Sequence, residues 1–423
     1  MLRPIGRFEV LVMIAWAATG GAANADRPSP GMWRAWLDSP GGELPFYLLL
    51  DSRADGQWNA QLINGPERIA VPHTAVSGDT VTLDIDYYDA KLSGAVSHEG
   101  KHLDGEWVRT GSGGTPVTMA FHARRGAFPR FDPLPTGAAP VPKEQHDISG
   151  RWRMRFSKSE DPAIGVFEQG ADRSVAGTVL TTTGDYRFLA GSFENGRLRL
   201  SCFDGAHAFL FDARMQADGA LAGDFWSRDA WHETWTADRD ADAALPDAFG
   251  RTTWTGSVPL DALVFPDVNG DRVALSDERF AGKARIIEVF GTWCPNCHDA
   301  SEYLVELHRR YADRGLSIVG LAFELTGDFS RDARQVRKYV ERLGIPYTVL
   351  VAGVSDKDKA AAAFPAIDRI RAYPTTIFLN GAGRVRAVHT GFSGPATGDA
   401  NQALRRDFER IIEEMLVDSS GGG

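Results

Sequence analysis

Cys294 and Cys297 are two of only three cysteines in the chain, and they frame the tetrapeptide Cys294-Pro295-Asn296-Cys297. A thiol pair at this spacing supports reversible dithiol–disulfide exchange when it opens a helix. The first sulfur then faces the unpaired amides and the positive end of the helix dipole. Both favour the thiolate, which is the form that attacks a disulfide sulfur. The spacing therefore predicts Cys294 as the nucleophile and Cys297, one helical turn further in, as the thiol that resolves a mixed disulfide. Pro295 suits a first helical turn, where its fixed φ is helical and its missing N–H would go unpaired anyway. Trp293 offers an apolar contact surface beside the thiol. With His298 the run also reads C-x-x-C-H, a haem-attachment sequence that would make His298 an iron ligand; Met415, the only later methionine, lies far along the chain. A zinc finger would need a second ligand pair, and a peroxidatic Pro-x-x-x-Thr-x-x-Cys turn would need Thr and Pro where Gly291 and Ile287 stand. No metal site is expected.

The elements that must hold this pair alternate between strand and helix. Ile286-Ile287-Glu288-Val289-Phe290 reads as a buried strand leading into Gly291-Thr292-Trp293 and the cysteines. Leu304, Leu307 and Tyr311 recur at helical spacing, and Gly315 is placed to end that helix. A strand over 316–323 follows, then a helix marked by Val336, Val340 and Leu343 that ends at Gly344, and a strand over 347–351. Strands at 375–379 and 384–389 flank Asn380-Gly381 as a hairpin, and a helix over 400–417 closes the segment. This order is that of an α/β domain around a central sheet.

Phe290-Gly291-Thr292-Trp293-Cys294-Pro295-Asn296-Cys297, together with Tyr373-Pro374-Thr375-Thr376-Ile377-Phe378-Leu379, resembles the thioredoxin superfamily, in particular its exported TlpA/ResA-like reductases. The resemblance covers residues 257–418. It implies a thioredoxin-like fold and protein thiol–disulfide oxidoreductase activity with no cofactor. It also implies a cis bond before Pro374, which would face the cysteines while Tyr373 and its neighbours contact substrate. Glu288 takes the place of the family's buried acid, which exchanges protons with the second cysteine; inside an apolar run its carboxyl should be desolvated and its pKa raised. Where ResA-like proteins carry a Glu three residues after the second cysteine, this chain has Ala300. A membrane thiol carrier as electron donor and exported proteins as substrates follow from the same resemblance. The segment 327–368 reads as the helix and strand that exported members insert.

The remaining sequence sets the context. A chain of 423 residues implies two to four domains of roughly 100–200 residues. A net charge of −10 disfavours nucleic acid and anionic membrane surfaces as partners. Residues 1–25 read as a cleavable secretory signal: Arg3 and Arg7, a short apolar core, then Ala23-Asn24-Ala25. Export to the periplasm is expected, without a membrane span in the mature protein. Residues 26–126 and 148–238 read as two β-rich repeats, opening on Gly31-Met32-Trp33 and Gly150-Arg151-Trp152 and sharing period-2 alternation. Their Gly-x-Trp openings resemble lipocalin-like barrels, and two closed barrels or two halves of one β-domain both fit. Residues 127–147 read as a Pro-rich linker, 239–256 as a second linker and 419–423 as a tail. Cys202, at the place that Ile85 holds in the first repeat, reads as inert core. The chain as a whole reads as multidomain: all-β repeats, then an α/β thioredoxin-like domain. Two alternatives to an oxidoreductase are a ligand- or protein-binding β-module with a redox-sensitive appendage, and a c-type haem protein.

Overall fold

The computed structural model describes residues 27–133, 147–280 and 284–420. The expected signal segment and most of the Pro-rich linker lie outside the described residues, as do the last three residues of the tail. No helix among the described residues is long and apolar enough to cross a membrane.

The repeats are two separate barrel-like sheets. In the first, nine antiparallel strands run from Gly31–Ser39 to Pro116–Arg125, and the first and last pair with Trp33 opposite Arg125. Alternation sends Trp33, Ala35 and Leu37 inward with Phe46, Leu48 and Leu50, all wholly buried. In the second, Ala163–Gln169 pairs with both Gly150–Phe156 and Ser174–Thr181, which closes the ring; only the two-residue strand Gly184–Asp185 stands outside it. Cys202 is unbridged and buried in this barrel's core, and burial pushes its thiol well up.

The C-terminal sheet has the order Thr348–Val354, Leu316–Glu324, Ala284–Phe290, Thr375–Leu379, Val385–Thr390. The first three strands are mutually parallel, and the last two run antiparallel. Every residue of Ala284–Phe290 is buried, as befits a central strand with a largely apolar sequence, although it carries Arg285 and Glu288. The helices are Pro295–Tyr311, Phe329–Leu343, Lys357–Ala363 and Asp399–Ser420. Lys357–Ala363, capped by the Asp356 side chain, is a helix that sequence periodicity did not reveal in the inserted segment.

Where they are described, the expected linkers make bonds to the folded units beside them. Arg130 is buried, and its guanidinium donates to Ser201 Oγ at 2.9 Å in the second repeat and to Asn64 Oδ1 at 3.1 Å in the first. Residues 239–256 begin against the second repeat, where Asp240 N–H donates to the Arg151 carbonyl, and end on the C-terminal domain, where Thr253 N–H donates to Asp368 and Thr255 N–H to the Ala366 carbonyl. Arg130 is a buried guanidinium that would otherwise be unpaired, and its bonds fix the path of the chain there.

Candidate active site

The strand Ala284–Phe290 delivers the chain to Gly291-Thr292-Trp293, and the helix begins at Pro295 with Cys294 as its N-cap. The loop between them is held from the neighbouring strand. Thr292 donates to Glu324 through its N–H at 3.0 Å and through its hydroxyl at 2.8 Å, and the Trp293 indole donates to the Phe323 carbonyl at 2.9 Å. Glu324 is buried, and burial pushes its carboxyl up to about 7 against the two Thr292 donors. Sequence reasoning missed this residue. Its one signal was an acid directly after the apolar strand Leu321-Ala322-Phe323.

Cys294 and Cys297 are unbridged. The Cys297 N–H donates to Cys294 Sγ at 3.2 Å, so an orphan amide of the first turn points at the first sulfur. The Cys294 thiol meets the Tyr373 carbonyl at 3.4 Å, and the Tyr373–Pro374 bond is cis. Trp293 and Tyr373 stand edge to face with ring centroids 5.4 Å apart. Cys294 keeps 7% exposure, whereas Cys297 keeps none. Burial holds the Cys297 thiol well above its ordinary value, and Cys294 and the Glu288 charge reinforce this. Glu288 is fully buried behind the pair; burial pushes its carboxyl up to about 8 against the hydroxyl of Ser301, which donates to it at 3.3 Å.

His298, which the C-x-x-C-H reading would make an iron ligand, is largely covered. Its ring packs 4.9 Å from Tyr87 and 5.7 Å from Tyr88 of the first repeat, with Tyr339 behind it and Glu302 at 3.6 Å. Among the described residues no cluster of His, Cys, Asp and Glu has the arrangement of a metal site.

The second repeat also reaches the cysteines. A cleft of about 240 Å³ has Trp293, Cys294 and Tyr373 on one side and Tyr186, His207 and Phe209 of the barrel on the other. The barrel segment that forms this wall is fastened to the domain. The Asn296 amide, between the two cysteines, donates to the Asp185 carbonyl at 3.3 Å, and Gly394 N–H donates to Asp185 Oδ2 at 2.6 Å. Gly184 has φ 153°, and a Cβ there would stand 1.8 Å from the Asn296 amide, so only glycine permits this approach. Arg187, itself at φ 59°, forms ion pairs with Asp299 of the cysteine helix, with Glu67 of the first repeat at 3.0 Å and with Asp204 at 3.6 Å. All four side chains are nearly inaccessible. Burial pushes Glu67 up to about 7 and Asp185 up to about 6, in both cases against Arg187; Asp204, despite its burial, is held at about 2 by His207 and Arg187. None of this second wall was foreseen from sequence.

The parallel-then-antiparallel sheet, the dithiol at the mouth of its first helix and the cis-proline beside it define a thioredoxin-like domain. Residues 242–404 match the family model described as Redoxin, which supports reading this domain as a thiol-disulfide oxidoreductase of the thioredoxin superfamily. The chain is similar to the thiol-disulfide oxidoreductase ResA of Halalkalibacterium halodurans, with 27% identity over 128 residues, or 30% of this chain and 64% of that protein. It is likewise similar to the thiol:disulfide interchange protein DsbE of Pasteurella multocida, with 27% identity over 137 residues, or 32% of this chain and 63% of that one. The chain therefore spans less than two thirds of either protein's length. A solved thioredoxin-family thiol:disulfide interchange protein from Chlorobium tepidum aligns at 27% identity with a TM-score of 0.29, covering 40% of this chain and 98% of that one.

Proposed function

We propose that the protein is an exported disulfide reductase that acts on envelope proteins, with Cys294 as nucleophile, Cys297 as resolving thiol and Glu288 as general base. The observation that carries the reading is the Cys297 amide aimed at Cys294 Sγ, with a buried carboxyl pushed up to about 8 behind the second thiol. The Cys294 thiolate attacks one sulfur of a substrate disulfide; the Cys294–substrate bond forms, and the other substrate sulfur leaves as a thiolate that takes a proton from solvent. Cys297 then passes its proton to Glu288 and attacks Cys294 Sγ. The mixed disulfide breaks, the second substrate thiol is released, and two electrons have moved from the cysteine pair to the substrate. An external dithiol, placed by this reading at the membrane, restores the pair. Trp293, Pro295, Tyr373 and Pro374 form the substrate-side surface.

Two variants test the roles. Cys294→Ser abolishes exchange, while Cys297→Ser accumulates mixed disulfides that mass spectrometry of the non-reduced protein detects. No trapped species with Cys297→Ser would overturn the role assignment. Glu288→Gln slows resolution about 100-fold, the usual scale of general base catalysis, without slowing the first attack. Stability supplies a second readout. Between the unfolded value of 4.5 and about 8 the folded state binds the extra proton, so this group makes stability fall as pH rises. Glu288→Gln therefore flattens that slope, and its gain over the parent is complete above about pH 8. An unchanged slope in denaturant titrations across this window would contradict the buried, proton-holding carboxyl.

A further inference from the structure

The cleft beside Cys294 has walls from two domains, and the second wall lies outside the redox domain. Tyr186 and Phe209 stack with centroids 5.0 Å apart on the barrel side, opposite the Trp293–Tyr373 pair. His207 stacks on Phe209 at 4.5 Å and is held by Asp204 at 3.1 Å. Thr183, which is exposed, stands on the rim, and its carbonyl group lies against Gly391, where a Cβ would meet it at 2.8–2.9 Å. The wall cannot swing aside freely, because Asp185 is bonded to Gly394 and Arg187 is paired to the cysteine helix.

We propose that the second repeat sets the width of the substrate entrance. The cleft admits a disulfide carried on a thin, flexible carrier, an unfolded polypeptide segment or a low-molecular-weight disulfide, and turns away the same disulfide on a folded surface. Tyr186, His207 and Phe209 are then specificity-determining residues. The inference rests on the thiol-exchange reading above. Its physical basis is size and depth. A volume of about 240 Å³ falls below the roughly 300–1,000 Å³ of drug-sized ligand sites, so it holds a few side-chain groups around one sulfur. At 7% exposure, Cys294 requires that sulfur to come down to it. A folded surface brings flanking backbone on both sides and meets the rim first. The facing aromatic pairs favour apolar or aromatic neighbours of the reacting cysteine.

The experiment uses one disulfide on several carriers. A small protein with a surface cysteine capped by 2-mercaptoethanol is offered to the reduced enzyme, once folded and once as a destabilised, unfolded variant; bis(2-hydroxyethyl) disulfide serves as the small carrier. The expected result is reduction of the unfolded and small carriers, with the folded one at least about tenfold slower. Equal rates on folded and unfolded carriers would overturn the inference while leaving the exchange chemistry intact. Failure on all three, with Cys294 still alkylated by iodoacetamide, would instead overturn the reading beneath it. Thr183→Trp, at an exposed position, should narrow the rim and slow every carrier about tenfold; an unchanged rate would contradict the proposed entrance. Tyr186→Ala should slow the unfolded polypeptide more than the small disulfide if polypeptides are the source, and both equally if they are not.

Discussion

The two β-repeats open identically and are used differently. In each, a tryptophan third in its opening tripeptide sits at the base of the sheet and donates its indole N–H to the carbonyl four residues earlier: Trp33 to Ser29 at 3.1 Å, Trp152 to Ile148 at 2.9 Å. The first repeat then meets the redox domain through rings, backbone and partly solvated ion pairs: Tyr87 and Tyr88 lie against His298, Gln335 donates to the Asp86 and Tyr87 carbonyls, and Arg331 and Arg342 pair with Asp89 and Asp86. The second meets it through a buried charge cluster and forms half of the cleft over Cys294. The two sheets share this tryptophan contact and differ in how they touch the redox domain. The second repeat's contacts beside the cysteines run through Gly184, Asp185 and Arg187.

That contrast can be broken most severely at Arg187. Arg187→Met leaves Asp299, Glu67 and Asp204 close together without their common cation, and breaking a buried ion cluster of this kind costs about 3–5 kcal/mol. Chemical denaturation should show this loss; a change under about 1 kcal/mol would mean the cluster does not hold the domains together. Trp33→Phe and Trp152→Phe sharpen the shared part. Each removes one buried hydrogen bond at an equivalent position, for about 1–2 kcal/mol, and clearly unequal losses would argue against equivalent roles. The smallest effect belongs to an ion pair between the redox domain and the first repeat, Arg331 with Asp89, which is partly solvated. Arg331→Ala should cost less than about 1 kcal/mol, and a loss matching that of Arg187→Met would erase the distinction between the two interfaces.

The sequence made legible what local periodicity and turn chemistry control. The all-apolar neighbourhood of Glu288 announced a central strand, Gly315 and Gly344 both adopt the positive φ that ends a helix, and Asn380-Gly381 stands in the turn between the last two strands. The inward alternation of Val81, Leu83 and Ile85 was equally plain. The second wall of the cleft was not legible, because it depends on contacts across more than a hundred residues. Arg187 reads as an ordinary surface arginine until Asp299 and Glu67 are brought to it, and Gly184 as an ordinary turn glycine until Asn296 lies against it. His298 misled for the same reason. Its motif suggested an iron ligand, whereas tyrosines from a separate repeat lie against it.

The reduction potential of the Cys294/Cys297 pair, measured by equilibrating the full chain with graded thiol/disulfide buffers, tests the reductase account most directly. A reversible two-electron couple near about −270 mV, the value of thioredoxin, is the predicted result. A couple near about −120 mV would make the protein a disulfide donor and contradict the account.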